Sequence, residues 1–214
     1  MIRFENVSKS YRIKNSRKVI LKDFNLVLPR DRNMALIGRN GAGKSTIMRL
    51  IAGAEQPDRG HIYRDANVSW PIGFSGGLAA TMSGLENTRF VARIYGVDTD
   101  ELVDYVRDFA DIGAYFYSPV STYSSGMKSK VAFGISMGIQ FDTYLIDEVT
   151  AVGDAHFKKK CRRVFRTKLA SSNIIMVSHS MRTLREYCDG AILVEDGEAI
   201  IIDDLEEAIK HYAR

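Results

Sequence analysis

Cysteine, long apolar runs and excess charge are all scarce in this chain. Only two cysteines, Cys161 and Cys188, occur in 214 residues, and they lack the spacing of metal ligands, so neither a disulfide framework nor a zinc site is expected and both read as packing residues. The longest apolar runs, such as Met34-Ala35-Leu36-Ile37 and Ala191-Ile192-Leu193-Val194, fall far short of the roughly 18 residues that a membrane-crossing helix needs. Met1 to Lys14 carries charged and polar side chains where a secretory signal would need an unbroken apolar stretch, so a cytoplasmic protein is expected. The 30 Lys and Arg against 26 Asp and Glu leave a net charge of +4 and a pI near 9.0. An excess this small does not imply a nucleic-acid partner or an anionic lipid surface. The densest basic stretch, Lys158 to Lys168, interleaves Phe157, Cys161, Val164 and Phe165 at helical spacing and reads as an amphipathic helix with a solvated polar face.

What the chain does have is enough apolar content, 45% of residues, for one globular domain. At this length, folding buries roughly 70% of the unfolded surface. Ile2 to Val7 and Val19 to Leu28 favour β structure on either side of the polar stretch Lys14 to Lys18, which predicts a small antiparallel β layer. Met34 to Ile37 reads as a buried strand and Lys44 to Ala52 as a helix. From Thr81 to Gln140 the pattern turns mostly helical, with Ser83 and Glu86 spaced as a capping box. Thr143 to Ile146 and Ile174 to Val177 read as strands buried on both faces, and with the basic helix between them they predict parallel pairing. Asp196-Gly197 between two β-favouring runs marks a hairpin, and Leu205 to Tyr212 closes as a helix. The expected organisation is a single α/β domain, with a mostly parallel core and β layer over about 1–80 and 141–214 and a helical subdomain over about 81–140.

Gly38-Arg39-Asn40-Gly41-Ala42-Gly43-Lys44-Ser45 matches the P-loop pattern and lies between a predicted strand and a predicted helix, as that chemistry requires. By chance the pattern arises on the order of once in a hundred chains of this length. Its glycines let backbone N–H groups converge on a phosphate, and the helix that follows adds its partial positive charge. Gly38, Asn40, Gly41, Ala42, Gly43, Lys44, Ser45 and Thr46 form the expected ATP-binding set, with Lys44 at the β- and γ-phosphates and the Ser45 hydroxyl on Mg²⁺. Asp147 and Glu148 end an apolar strand at the edge where an α/β sheet places its ligand. Asp147 suits the Mg²⁺ shell, and Glu148 suits the base that polarises the attacking water. His179 ends the strand Ile174 to Ser178, either contacting the γ-phosphate across the same edge or simply beginning a helix.

Tyr123-Ser124-Ser125-Gly126-Met127 occupies the place of a signature sequence that usually reads Leu-Ser-Gly-Gly-Gln, with Asp147-Glu148 at the usual distance after it. On these residues and the P-loop, nearly the whole chain resembles the ATP-binding subunits of ABC transporters. Ser124 and Gly126 are kept, whereas Ser125 and Met127 depart from the common form, and Trp70 to Gly77 contains no glutamine where the family's Q-loop has one. The resemblance implies that Asp154 acts across a dimer interface, that His179 is the switch histidine, and that Tyr11 stacks on adenine; a half-buried strand tyrosine is the other reading of Tyr11. It also implies that two copies of the chain sandwich two ATP molecules, each P-loop facing the other copy's Ser124 and Gly126. Those two residues, at a helix N-terminus, would offer donors to the γ-phosphate.

Ser69 to Gly73, Gly76-Gly77 and Glu148-Val149-Thr150-Ala151-Val152-Gly153-Asp154 are similar to the capsular-polysaccharide exporter subfamily of KpsT type. Exporters of O-antigen and teichoic acid share the last of these segments, and some O-antigen exporters append a carbohydrate-binding domain; this chain stops soon after its last hairpin, which ranks capsule first. The implied setting is the cytoplasmic side of a bacterial inner membrane, with two copies of a permease that itself contacts the polysaccharide. The docking surface would be the cleft between core and helical insert, including Phe74 to Thr81. A soluble ABC ATPase acting on nucleic acid would need a coiled-coil insertion or a second ATPase domain, for which 214 residues leave no space. A small-molecule kinase would leave the signature segment without purpose.

Overall fold

The structure, a computed structural model, describes residues 1–13, 16–72, 77–147, 155–195 and 197–212. The chain divides into two compact units, one formed by Met1–Pro71, Phe141–Val149 and Ser172–Arg214, the other by Ile72–Gln140 and Thr150–Ser171.

In the first unit, β1 (Ile2–Ile13), β2 (Ser16–Leu28) and β4 (Arg59–Arg64) form an antiparallel sheet in the order β2-β1-β4. In β2 the alternation of buried Phe24, Leu26 and Leu28 with exposed Asn25 and Val27 turns one face to the core. The strands run further than hydrophobicity indicated: Arg12 pairs with Arg17 and Ile13 with Ser16, so β2 begins within the polar stretch Lys14 to Lys18 expected to separate them. Backbone pairing continues there although most of the side chains are exposed, and alternation of burial carries no signal where neither face is covered.

The second sheet has the order β5-β6-β3-β7-β8, from β3 (Met34–Gly38), β5 (Thr143–Asp147), β6 (Asn173–Val177), β7 (Gly190–Glu195) and β8 (Glu198–Ile202). The first four strands run parallel and β8 returns antiparallel through a turn where Gly197 has φ 84°. All five β3 residues are buried, as expected of a strand covered on both faces. Helix α1 (Lys44–Ile51) packs Ile47, Met48, Leu50 and Ile51 into one core with Phe4, Leu21 and Phe24 of the first sheet and Leu145, Ile175 and Ile192 of the second. Truncating one such side chain to alanine costs about 2–5 kcal/mol. Helices α6 (Met181–Tyr187) and α7 (Leu205–Tyr212) complete this unit.

The second unit holds α2 (Gly84–Tyr95), α3 (Thr99–Ala110), α4 (Ser125–Gly138) and α5 (Ala155–Leu169). The expected capping box is present: Ser83 Oγ accepts from Glu86 N at 3.1 Å and Glu86 accepts from Ser83 N at 2.7 Å. Phe109 is the hub of the core, stacked on Tyr105 and Phe133 and edge-on to Phe157. A Cβ at Gly138 would stand 2.3 Å from Leu102 Cδ1, so glycine permits the close approach of α3 and α4. Helix α5 is amphipathic as its spacing predicts, with Phe157 and Phe165 buried and Arg162, Arg163 and Arg166 exposed. Lys160 departs from a purely solvated face: its ammonium donates to the carbonyls of Asp108 and Phe109 at 3.1 and 3.0 Å, at the negative end of α3.

No helix among the described residues is long and apolar enough to cross a membrane. Both thiols are free, and burial pushes them up to about 11 at Cys161 and about 12 at Cys188, in keeping with packing residues.

Candidate functional site

Strand β3 lies between β6 and β7, and the carboxyl ends of β5, β6, β3 and β7 share one edge of the sheet. In an open α/β sheet, ligands bind outside that edge. Gly38 closes β3, and a Cβ there would lie 2.4 Å from the Val194 carbonyl oxygen. Gly41 and Gly43 turn the loop through φ 85° and 107°, backbone that a side chain would strain, and a Cβ at Gly43 would also press within 2.7 Å of Ile20. Between them Ala42 N donates to Arg39 O at 3.1 Å, and Asn40 stands exposed.

Helix α1 starts at Lys44 with no side chain capping it. Its first N–H groups therefore depend on water or on a bound anion. Lys44 Nζ donates to the carbonyls of Gly38 and Arg39 at 2.6 and 3.0 Å, placing the ammonium inside the loop. Burial lowers the Lys44 pKa and the Asp147 carboxylate opposes that shift, so the cation and the acid at the end of β5 face each other electrostatically. Ser45 is exposed, whereas Thr46 is buried, its hydroxyl 3.3 Å from that of Tyr11 and accepting from Arg49 Nη2 at 3.4 Å. A cavity of about 690 Å³ flanks the loop, lined by Val19, Ile20 and Lys22, by Gly38 to Ala42 and by the end of β7. Lys44, Ser45 and Asp147 do not line it.

Asp147 pairs in register with Val177 of β6, and His179 follows two residues later, exposed, just before Ser180, the N-cap of α6. His179 thus stands just before the start of a helix, as one sequence expectation has it, at the carboxyl edge of the sheet. Glu148 and Asp154 lie outside the described residues, as do Val149 to Gly153 and Gly73 to Gly76.

Ser124 and Gly126 belong to the second unit, at the start of α4. Ser124 is the N-cap, its Oγ accepting from Met127 N at 3.2 Å, which leaves the hydroxyl hydrogen for a further acceptor. Tyr123 is buried, and its hydroxyl accepts from Gly84 N at 2.9 Å, tying the signature segment to α2. A Cβ at Gly126 would meet only Ser124 Oγ, at 3.8 Å, so the fold of this unit does not itself require glycine there.

The sequence profile of the ABC transporter family matches residues 21–151. The chain belongs to the ABC transporter family. ATP is accordingly a ligand of this chain, and its hydrolysis is the reaction. The chain is 49% identical to the polysialic acid transport ATP-binding protein KpsT of Escherichia coli, over 100% of this chain and 99% of that protein. It is 42% identical to the capsule polysaccharide export ATP-binding protein CtrD of Neisseria meningitidis serogroup B, over 99% and 98%. Among solved structures, the ATP-binding subunit of an ABC transporter superposes with a TM-score of 0.77, covering 100% of this chain and 93% of that one at 24% identity, which bears on the fold alone.

Sequence reading missed the side chains that hold Tyr11 in this ABC subunit. The Tyr11 hydroxyl donates to Glu55 Oε2 at 2.6 Å and accepts from Arg49 Nη2 at 3.0 Å. The available signals were weak ones: Lys9 and Tyr11 at i, i+2 share a strand face, and Thr46 and Arg49 at i, i+3 share a helix face. No local pattern says that these two faces meet.

Proposed function

We propose that this chain is the ATP-hydrolysing motor subunit of a transporter that exports capsular polysaccharide across a bacterial inner membrane. The observation that carries the substrate class is the end-to-end 49% identity with a polysialic acid transport protein. The chain would sit peripherally on the cytoplasmic side, beside two copies of a permease that contacts the polymer.

In this reading the loop from Gly38 to Gly43, with Asn40, Gly41 and Ala42, wraps the β-phosphate, and Lys44 leaves its two carbonyl partners to bridge the β- and γ-phosphates. Thr46 follows on the same helix turn as part of the nucleotide-binding set. Ser45 and Asp147 would hold Mg²⁺, and the residues fit: an exposed hydroxyl at the start of α1 and a carboxylate facing the Lys44 ammonium. Bound Mg²⁺ would neutralise charge on the phosphate oxygens. Glu148 would orient and deprotonate the attacking water, with His179 contacting the γ-phosphate from the neighbouring strand end. Ser124 and Gly126 of a second copy would complete the site, Ser124 giving its spare hydroxyl hydrogen and α4 its positive end to the γ-phosphate. Asp154 would act across that homodimer interface, and Tyr11 would carry the adenine. No nucleic-acid partner enters this scheme.

Two measurements test it. ATP turnover and ATP-dependent dimerisation are compared for the purified chain and Glu148→Gln: a trapped dimer without turnover supports the shared site, and a monomer that still hydrolyses ATP removes Glu148 from it. Deleting the gene in its own host should leave capsular polymer inside the cell, restored to the surface by the intact gene and not by Lys44→Ala; normal surface polymer after deletion would exclude this substrate.

A further inference from the structure

Three elements of the first unit bring polar side chains to one point: β1 supplies Lys9 and Tyr11, α1 supplies Thr46 and Arg49, and the turn after α1 supplies Glu55. Glu55 Oε2 accepts from the Tyr11 hydroxyl at 2.6 Å and from Arg49 Nε at 3.0 Å, while Oε1 pairs with Lys9 Nζ at 3.0 Å. Arg49 Nη2 donates in turn to the Tyr11 oxygen at 3.0 Å and to Thr46 Oγ1 at 3.4 Å. The Lys9 ammonium also stands 5.6 Å from the Tyr11 ring centroid. Glu55 itself is fastened to α1 through its backbone N–H, which donates to Arg49 O at 3.3 Å.

This is more than a surface ion pair. The Lys9 and Glu55 side chains are only 12% and 19% exposed, so screening by water is reduced. Burial alone would raise the Glu55 carboxyl, but hydrogen bonds from Tyr11, Arg49 and Lys9 outweigh it and hold the group below its ordinary range, hence ionised at neutral pH. A carboxylate that receives three donors from two elements fixes their relative position. The elements fixed are the strand bearing Tyr11 and the helix whose first residues hold the phosphates.

We propose that Glu55 is a positioning residue for the nucleotide: it locks the Tyr11 ring against α1, so that the base platform and the phosphate-binding loop stand at one spacing. The inference rests on the reading of Tyr11 as the ring beneath the adenine. Its physical consequence is selective. Loss of the lock weakens binding that depends on the base and leaves binding of the triphosphate alone untouched, because Lys44, Ser45 and the loop stand outside the network and Thr46, whose hydroxyl joins it, is held at the start of α1 by the helix itself.

The test displaces a fluorescent ATP analogue from the full-length chain with ATP and, separately, with inorganic triphosphate. Glu55→Ala and Tyr11→Phe, which remove the same hydrogen bond from opposite sides, should each lower ATP affinity by about tenfold or more and leave triphosphate affinity unchanged, as expected for one charge-assisted bond. KM for ATP should rise with kcat unaltered. Asp58→Asn is the control, since Asp58 shares Lys9, at 3.6 Å, but does not touch Tyr11. Unchanged ATP affinity in both variants overturns the proposal. So does an equal fall for ATP and triphosphate, or the same selective loss in Asp58→Asn, each of which indicates general loosening of the unit. Tyr11→Ala separates the underlying reading: if it leaves the ratio of ATP to triphosphate affinity unchanged, Tyr11 carries no base and the fault lies there. Should Glu55→Ala fail to fold, Tyr11→Phe decides alone.

Discussion

The two helix starts proposed to meet phosphate, α1 in the first unit and α4 in the second, are built in opposite ways. Helix α1 opens on Gly43 in the left-handed region with no side-chain cap, so its first donors are left to a ligand. Helix α4 opens on Ser124, which caps its own helix through Met127 N. The uncapped start suits a phosphate that stays bound through many contacts, since the anion itself does the capping. The capped start is complete without a ligand, and what it can offer a second molecule is one hydroxyl hydrogen and a dipole end. The difference teaches which half of the proposed divided site needs the nucleotide and which can wait for it.

Several substitutions would break or sharpen that contrast. The largest effect is expected from Lys44→Ala, which empties the loop of its cation and should lower ATP turnover by about a hundredfold or more, read in a coupled phosphate-release assay. Retained turnover would mean that the uncapped start of α1 is not where the triphosphate sits. Gly126→Ala comes next. Alanine is favoured over glycine within a helix by about 1 kcal/mol, and the added methyl meets only Ser124 Oγ, so the melting temperature should hold or rise while ATP-dependent dimerisation disappears. If dimers still form, Gly126 is not pressed against a ligand of the second copy.

Ser124 divides the two jobs of its hydroxyl. Ser124→Ala should cost about 1 kcal/mol of stability, a shift of roughly 2–4 °C in melting temperature, together with ATP-dependent dimerisation. Ser124→Asp keeps a capping oxygen, so melting should return to the original value, but a carboxylate has no hydrogen to give and repels phosphate, so dimerisation should not return. Recovery of both would show that capping is all that Ser124 does. The smallest effect belongs to Ser83→Ala, at the cap of α2: a similar loss of about 1 kcal/mol in thermal unfolding with ATP affinity unchanged, because this start has no ligand to lose.

Much of the fold was legible before the structure. The apolar run Met34 to Ile37, followed by Gly41, Gly43 and Lys44, announces strand, loop and helix because both the hydrophobic period and the motif are local properties of adjacent residues. The capping box at Ser83 and Glu86 and the hairpin at Gly197 were readable for the same reason. The edges of the β layer were not: β1 and β2 continue through Arg12 and Arg17, whose exposed side chains carry no burial pattern, and β4, Arg59–Arg64, has three exposed positions of six. Lys160 looked like one more solvated lysine until α3 ended beneath it.

The sequence by itself determined the chemistry of the loop and the family, since a backbone that must pass close to phosphate needs glycine at particular steps and a cation just after them. Only the tertiary structure decided what surrounds it. Gly38 is confined by a carbonyl of Val194, more than 150 residues away in the chain, and Tyr11 is held by Arg49 and Glu55 from another element. Those contacts depend on which faces of two sheets and a helix come together. That choice follows from burying the whole core at once, and no short stretch of residues records it.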